Sequence, residues 1–156
     1  MERFLEYLKI AEDKIQKVDH MIYITFPLIK DKRLLLKILS ELNIILLNIL
    51  NAILQYDYIY KRVELSKNAR ENLDIFLDFS AQNYKITEQE VKLILELLDL
   101  GEKHKKSGFE FIKEEKVVIL SDNLHPSIIT LEKAKEFILM EKTILKKARE
   151  VMKSKI

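Results

Sequence analysis

Residues 34 to 60 constrain the fold more than any other part of the chain. Apolar side chains fill most of this stretch, while Lys37, Glu41, Asn48, Asn51 and Gln55 follow one another at intervals of four, seven, three and four. On a helix that spacing draws a single polar line along an otherwise apolar cylinder. A helix apolar over more than half its circumference has to be wrapped by others, so this segment reads as the central staff of a bundle. A membrane span needs roughly 18 consecutive apolar residues, and Lys37, Glu41, Asn43, Asn48 and Asn51 interrupt this one. The expectation is a soluble bundle with no membrane partner.

The flanking segments supply the wrapping. Met1, Phe4, Leu8, Ala11, Ile15, Val18 and Ile22 recur every three or four residues and form the apolar stripe of a first helix. Pro27 is expected to end that helix, because the residue before a proline is pushed out of helical geometry. The second helix is expected from Asp31, its cap, to about Val63. Ser66 and Asn68 offer caps for a third helix with Ala69, Leu73, Phe76, Leu77, Ser80 and Tyr84 inward. Thr87-Glu88-Gln89-Glu90 forms a capping box ahead of a fourth helix through Val91, Ile94, Leu95 and Leu98, expected to fray near Gly101.

After Gly108 the period changes from helical to extended. Phe109 to Lys113 and Lys116 to Leu120 are rich in aromatic and β-branched residues, which suit a pleated surface. Joined through Glu114-Glu115, they would pair Phe111 with Val118 and Phe109 with Leu120. Ser121 to Pro126 reads as a loop, and Ile128-Ile129 as a short third strand. Thr130 then caps a last helix running almost to Ile156, with Leu131, Ala134, Ile138, Leu145, Ala148 and Met152 inward. The expected fold is therefore mainly α: a single domain over 1–156, a five-helix up-and-down bundle with a small β-hairpin at about 109–121 inserted before the last helix.

Composition removes several function classes. The 156 residues contain no cysteine, which excludes disulfides, thiolate catalysis and cysteine metal sites. There is no glycine-rich phosphate loop, no Gly-x-Ser-x-Gly elbow, no His-Glu-x-x-His and no Glu-x-x-His pair. No cofactor, metal or catalytic set is expected, and an enzyme is not favoured. The acidic residues Glu2 and Glu6 stand where a secretory signal needs a basic region, so the expected compartment is cytoplasmic. A formal charge of +2 does not by itself imply nucleic acid.

Three groups of residues are candidate sites. Carboxamides on the polar line of the second helix offer a seam for a polar ligand, against the plainer reading that they face solvent or fix register. Asp19, His20 and Tyr23 gather polar groups at the end of the first helix. An acid beside a histidine can orient the ring for proton transfer, but neighbours on a helix point about 100° apart. Lys103, His104, Lys105 and Lys106 are the densest basic cluster, with Lys146, Lys147, Arg149, Lys153 and Lys155 near the C-terminus. If they shared a surface with Lys61 and Arg62, which follow Tyr56, Tyr58 and Tyr60, they would form a phosphate-binding patch with aromatic stacking groups.

The segments Asp19-His20-Met21-Ile22-Tyr23-Ile24-Thr25-Phe26-Pro27, Asn51-Ala52-Ile53-Leu54-Gln55-Tyr56 and Glu102-Lys103-His104-Lys105-Lys106-Ser107 together resemble an unassigned family of small helical archaeal proteins. That likeness implies a prokaryotic cytoplasmic setting and no particular activity. The amphipathic first helix paired with a long second helix carrying Asn51-Ala52-Ile53-Leu54 is also similar to the HEPN bundles, which RNA-cutting enzymes often use. The catalytic pattern of that group, Arg followed four to six residues later by His, is absent; Lys14 and His20 have the spacing with the wrong cation. The second resemblance thus implies binding rather than cleavage. The leading expectation is a non-enzymatic binding or assembly module that self-associates or joins a protein complex. The alternative is an RNA-associated protein or degenerate HEPN-like ribonuclease using its basic residues.

Overall fold

The computed structural model describes residues 2–106, 109–113, 116–120 and 126–153. Five helical rods and one antiparallel sheet follow one another along the chain. Helix α1 covers residues 3–29, as Arg3–His20, a π-helical turn Met21–Thr25 and a final turn Phe26–Ile29. Helix α2 is Leu34–Ile59, and α3 covers 69–83 with its own π turn at Phe76–Ser80. Helix α4 is Glu88–Lys106, strands β1 to β3 are Phe109–Lys113, Lys116–Leu120 and Pro126–Thr130, and α5 is Leu131–Met152.

Helix α2 is the staff. Leu35, Ile38, Leu39, Leu42, Ile45, Leu46, Ile49 and Ile53 are wholly inaccessible. By length and composition α2 is apolar enough to cross a membrane; here α1, α4 and α5 lie against it. The α1 stripe of Phe4, Leu8, Ala11, Ile15, Val18 and Ile22 is buried as its spacing predicts. Each large member contributes roughly 1.5 to 3 kcal/mol before entropy. Phe4 meets Tyr56 edge-on at 5.2 Å between centroids, and Lys14 pairs with Glu41 at 2.9 Å, so α1 and α2 run antiparallel. Ion pairs Asp19–Lys142 and Glu12–Arg149 set α5 antiparallel to α1 in the same way.

Pro27 does not end α1. A proline inside a helix lacks a donor, and its ring collides with the carbonyl four residues back. The π turn ahead of it, in which the Phe26 N–H reaches back to the Met21 carbonyl, opens the ladder where the ring must fit. The helix continues to Ile29 and closes on Lys30, which adopts a left-handed φ of 56°.

Other boundaries also move. Asp31 is not the cap of α2; its carboxylate accepts from the Arg33 N–H and pairs with the Arg33 guanidinium, and the helix starts at Leu34. It ends at Ile59 rather than Val63, in a Schellman turn with Lys61 at φ 57°: Lys61 N–H bonds to Tyr58 O and Arg62 N–H to Asp57 O. Lys85 closes α3 with the same pattern. Helix α4 does not fray at Gly101 but runs to Lys106, because Gly101 is buried against the Asn43 carboxamide of α2 where a Cβ would collide.

The caps at Asn68, Thr87 and Thr130 form as read. Asn68 Oδ1 accepts from Arg70 and Glu71 N–H, and Thr130 Oγ1 from Lys133 N–H. Thr87 and Glu90 satisfy each other's backbone N–H. Strand register matches the expectation, with Phe111 opposite Val118 and Phe109 opposite Leu120. The third strand is longer than expected, Pro126–Thr130, and pairs antiparallel with β2, so Pro126 belongs to a strand rather than the loop. Val117, Ile119 and Ile129 are fully buried in the core cluster of the bundle. The expected stripe residue Met1, the turn Glu114-Glu115, the loop at 121–125 and the end of the last helix beyond Lys153 lie outside the described residues.

Candidate binding groove

One side of α2 is left open. Helices α3 and α4 pack on α2 so as to leave a groove of about 640 Å³ between the three. Its floor is apolar: Leu47, Leu50 and Leu54 from α2, Leu73, Phe76 and Leu77 from α3, Leu95 and Leu98 from α4. Leu47 and Leu95 remain 42% and 40% exposed at its mouth. Asn51 of the α2 polar line also borders it, as does Asn43, which lies off that line. Two other line residues are used otherwise, Glu41 by Lys14 and Asn48 by the Ile44 carbonyl, and Lys37 is exposed.

Helical spacing explains how the groove arises. Seven of the ten residues from Val91 to Leu100 are apolar, more than one buried stripe can use. Ile94, Leu97 and Leu100 take the interior, and Leu95 and Leu98 are turned to the groove. Leu73 and Leu77, expected in the core, likewise line it, while Ala69 is exposed at its edge. The surplus of leucines on α4 was the legible signal. Charged rims frame the opening, with Arg70 and Asp74 on α3 facing Asp99, Glu102 and Lys105 on α4. Asp99 and Glu102 are already paired within α4 to Lys103 at 2.8 Å and Lys106 at 3.4 Å.

The basic residues do not gather. Lys103 to Lys106 end α4 near the level of Asn43, whereas Lys61 and Arg62 follow the far end of α2, roughly 25 Å along its axis at 1.5 Å per residue. Arg62 has a structural post, 3.7 Å from Asp57 and over the Tyr56 ring. His104 is half-buried. Lys147 binds Glu90 at the opposite end of α4, and Arg149 is held by Glu12.

Asp19, His20 and Tyr23 do not converge either. Asp19 turns to Lys142, Tyr23 lies under Lys135 with its ring 5.5 Å from the ammonium, and His20 is exposed. None of the three lines the groove. Among the described residues no group of three or more acidic or histidine side chains is placed to hold a metal ion.

Two buried polar arrangements escaped the sequence reading. Asp57 is fully buried at the end of α2 and accepts from Ser80 Oγ at 2.7 Å and Tyr84 Oη at 3.0 Å. Burial raises its pKa against the opposing effect of those bonds and of Arg62. Tyr84 is raised too, by burial and then by the Asp57 charge. The signal was positional: Asp57 continues the buried series Leu46, Ile49, Ile53 at helical spacing. Glu141 is also inaccessible, and neither carboxyl oxygen has a hydrogen-bond partner. Burial pushes its pKa well above the ordinary glutamate value. It occupies the seven-residue gap between Ile138 and Leu145 in the inward stripe of α5.

No protein-family model matches the chain, and no curated protein or solved structure is significantly similar to it.

Proposed function

We propose that this protein is a non-enzymatic binding module that receives an amphipathic helix of a partner protein, either a second copy or another chain, in the groove between α2, α3 and α4. The observation that carries the reading is the apolar floor of that groove, whose Leu47 and Leu95 are left partly exposed at its mouth. From Asn43 to Leu54 the floor extends eleven residues along α2, about 16 Å, the length of three helical turns. Helix-in-groove recognition needs this form: an apolar trough for anchors at i, i+3 or i+4, and i+7, between polar walls.

The test is site-specific crosslinking from position 95, with light scattering of the purified chain. A captured chain whose crosslinked segment is an amphipathic helix, lost in Leu47→Glu while the circular dichroism is unchanged, supports the reading. A strict monomer with no crosslinked protein, or a product indifferent to Leu47→Glu, refutes it. The rival ligand is RNA, which would have to use separated basic clusters. Salt-sensitive retardation of a structured RNA that survives Leu47→Glu would favour it instead.

A further inference from the structure

A second apolar surface lies at the corner between α1 and α2, outside the groove. Tyr23 and Ile24 within the π turn, and Leu28 and Ile29 after it, are 46%, 48%, 79% and 63% exposed. Spacing of one turn puts Ile24 and Leu28 on a common solvent-facing stripe. Leu139 joins them at 65% exposure, since it lies on α5 between Lys135 and Lys142, which reach Tyr23 and Asp19 of α1. Single exposed leucines are ordinary; several exposed apolar side chains gathered at one helix end mark a contact surface.

The charge around this corner is one-sided. Lys30, Lys32, Arg33 and Lys37 follow the apolar turn within the connection and the first turn of α2, against the single acid Asp31. Asp31 is itself occupied by Arg33 at 3.0 Å. On the α5 side, Lys135 stands beside Tyr23 and also contacts Glu132, and Lys142 is neutralised by Asp19. Lys30 and Lys37 are both exposed.

We propose that this corner is a peripheral docking site for an anionic lipid bilayer. Leu28 and Ile29 enter the boundary between headgroups and acyl chains, the Tyr23 ring lies at headgroup level, and the exposed Lys30 and Lys37 remain with the phosphates. A highly exposed apolar turn followed at once by the exposed Lys30 and, one helical turn into α2, Lys37 is the charge pattern that an anionic bilayer complements. The contact is interfacial.

Co-sedimentation of the full chain with vesicles tests it, using phosphatidylcholine alone and phosphatidylcholine mixed with phosphatidylserine. Binding is expected on the mixed vesicles only, weakening as salt rises. Leu28→Asp combined with Ile29→Asp is expected to lower the partition coefficient about tenfold or more. Lys30→Glu with Lys37→Glu is expected to abolish the preference for phosphatidylserine. All four positions are exposed, and unchanged thermal melts would verify that the variants fold. No sedimentation, equal binding to both vesicles, or wild-type binding by the Leu28/Ile29 variant overturns the proposal. So does a drop in oligomeric mass in that variant without lipid binding, which would assign the corner to a second copy of the chain.

Discussion

Replacing Glu141 should make the protein more stable, and increasingly so as pH rises. The carboxyl lies in the inward stripe of α5, with Phe137, Ile138, Ile144 and Leu145 buried around it on the helix and no partner for either oxygen. Burial raises its folded pKa above that of the unfolded chain, so between the two values the native state holds a proton that the unfolded state has released. Stability therefore falls with rising pH through that window, by about 1.4 kcal/mol per pH unit for one group. Glu141→Gln removes the titration and keeps the polarity, so it should flatten this contribution without a gain at acid pH. Glu141→Leu removes both, adding about 1 to 3 kcal/mol for the unpaired polar group at all pH values. Urea unfolding followed by circular dichroism at about pH 5 and about pH 8 measures each quantity, and the variant-minus-wild-type difference cancels other carboxyls, Asp57 included. Parallel pH profiles for wild type and Glu141→Gln would show that the carboxyl is hydrated or paired, and the reasoning would fail.

Tyr84→Phe should cost about 1.5 to 3 kcal/mol, because the buried Asp57 carboxylate loses one of its two hydroxyl donors. A thermal melt should register this as a drop of roughly 3 to 12 °C, and a loss below about 0.5 kcal/mol would speak against the network. Lys61→Gly and Lys85→Gly should each stabilise by up to about 1 kcal/mol in denaturant titrations, since both lysines occupy left-handed turns that glycine adopts without strain. Gly101→Ala should destabilise by about 1 to 3 kcal/mol by driving a methyl group into the Asn43 carboxamide, and most of that cost should vanish in an Asn43→Ala background.

The bundle was legible because its signals are local and redundant. The α1 stripe repeats six times, the capping box at Thr87 and Glu90 needs four residues, and β-branched clusters mark the hairpin. Boundaries went astray wherever a tertiary contact or an irregular turn decided them. Nothing near Gly101 announces that Asn43 is waiting to fill the space of its missing side chain. Pro27 is tolerated through a backbone expansion that leaves no compositional mark. The groove was half legible: the excess of leucines on α4 could be counted, but which of them stayed uncovered depends on how α3 and α4 lie on α2. The basic residues illustrate the opposite failure, for sequence clustering of Lys103 to Lys106 and of Lys61 with Arg62 says nothing about the helix length between them.

The π turns at Met21–Thr25 and Phe76–Ser80 have a consequence for how this chain tolerates change in length. Each carries one residue more than a regular turn, which rotates everything after it by roughly 100° relative to everything before. In α1 the surplus decides which compass bearing Leu28 and Ile29 occupy. Deleting a single residue there would take away the expansion that admits the Pro27 ring and swing the apolar corner to a new azimuth, so the whole outer geometry of that end hinges on one count.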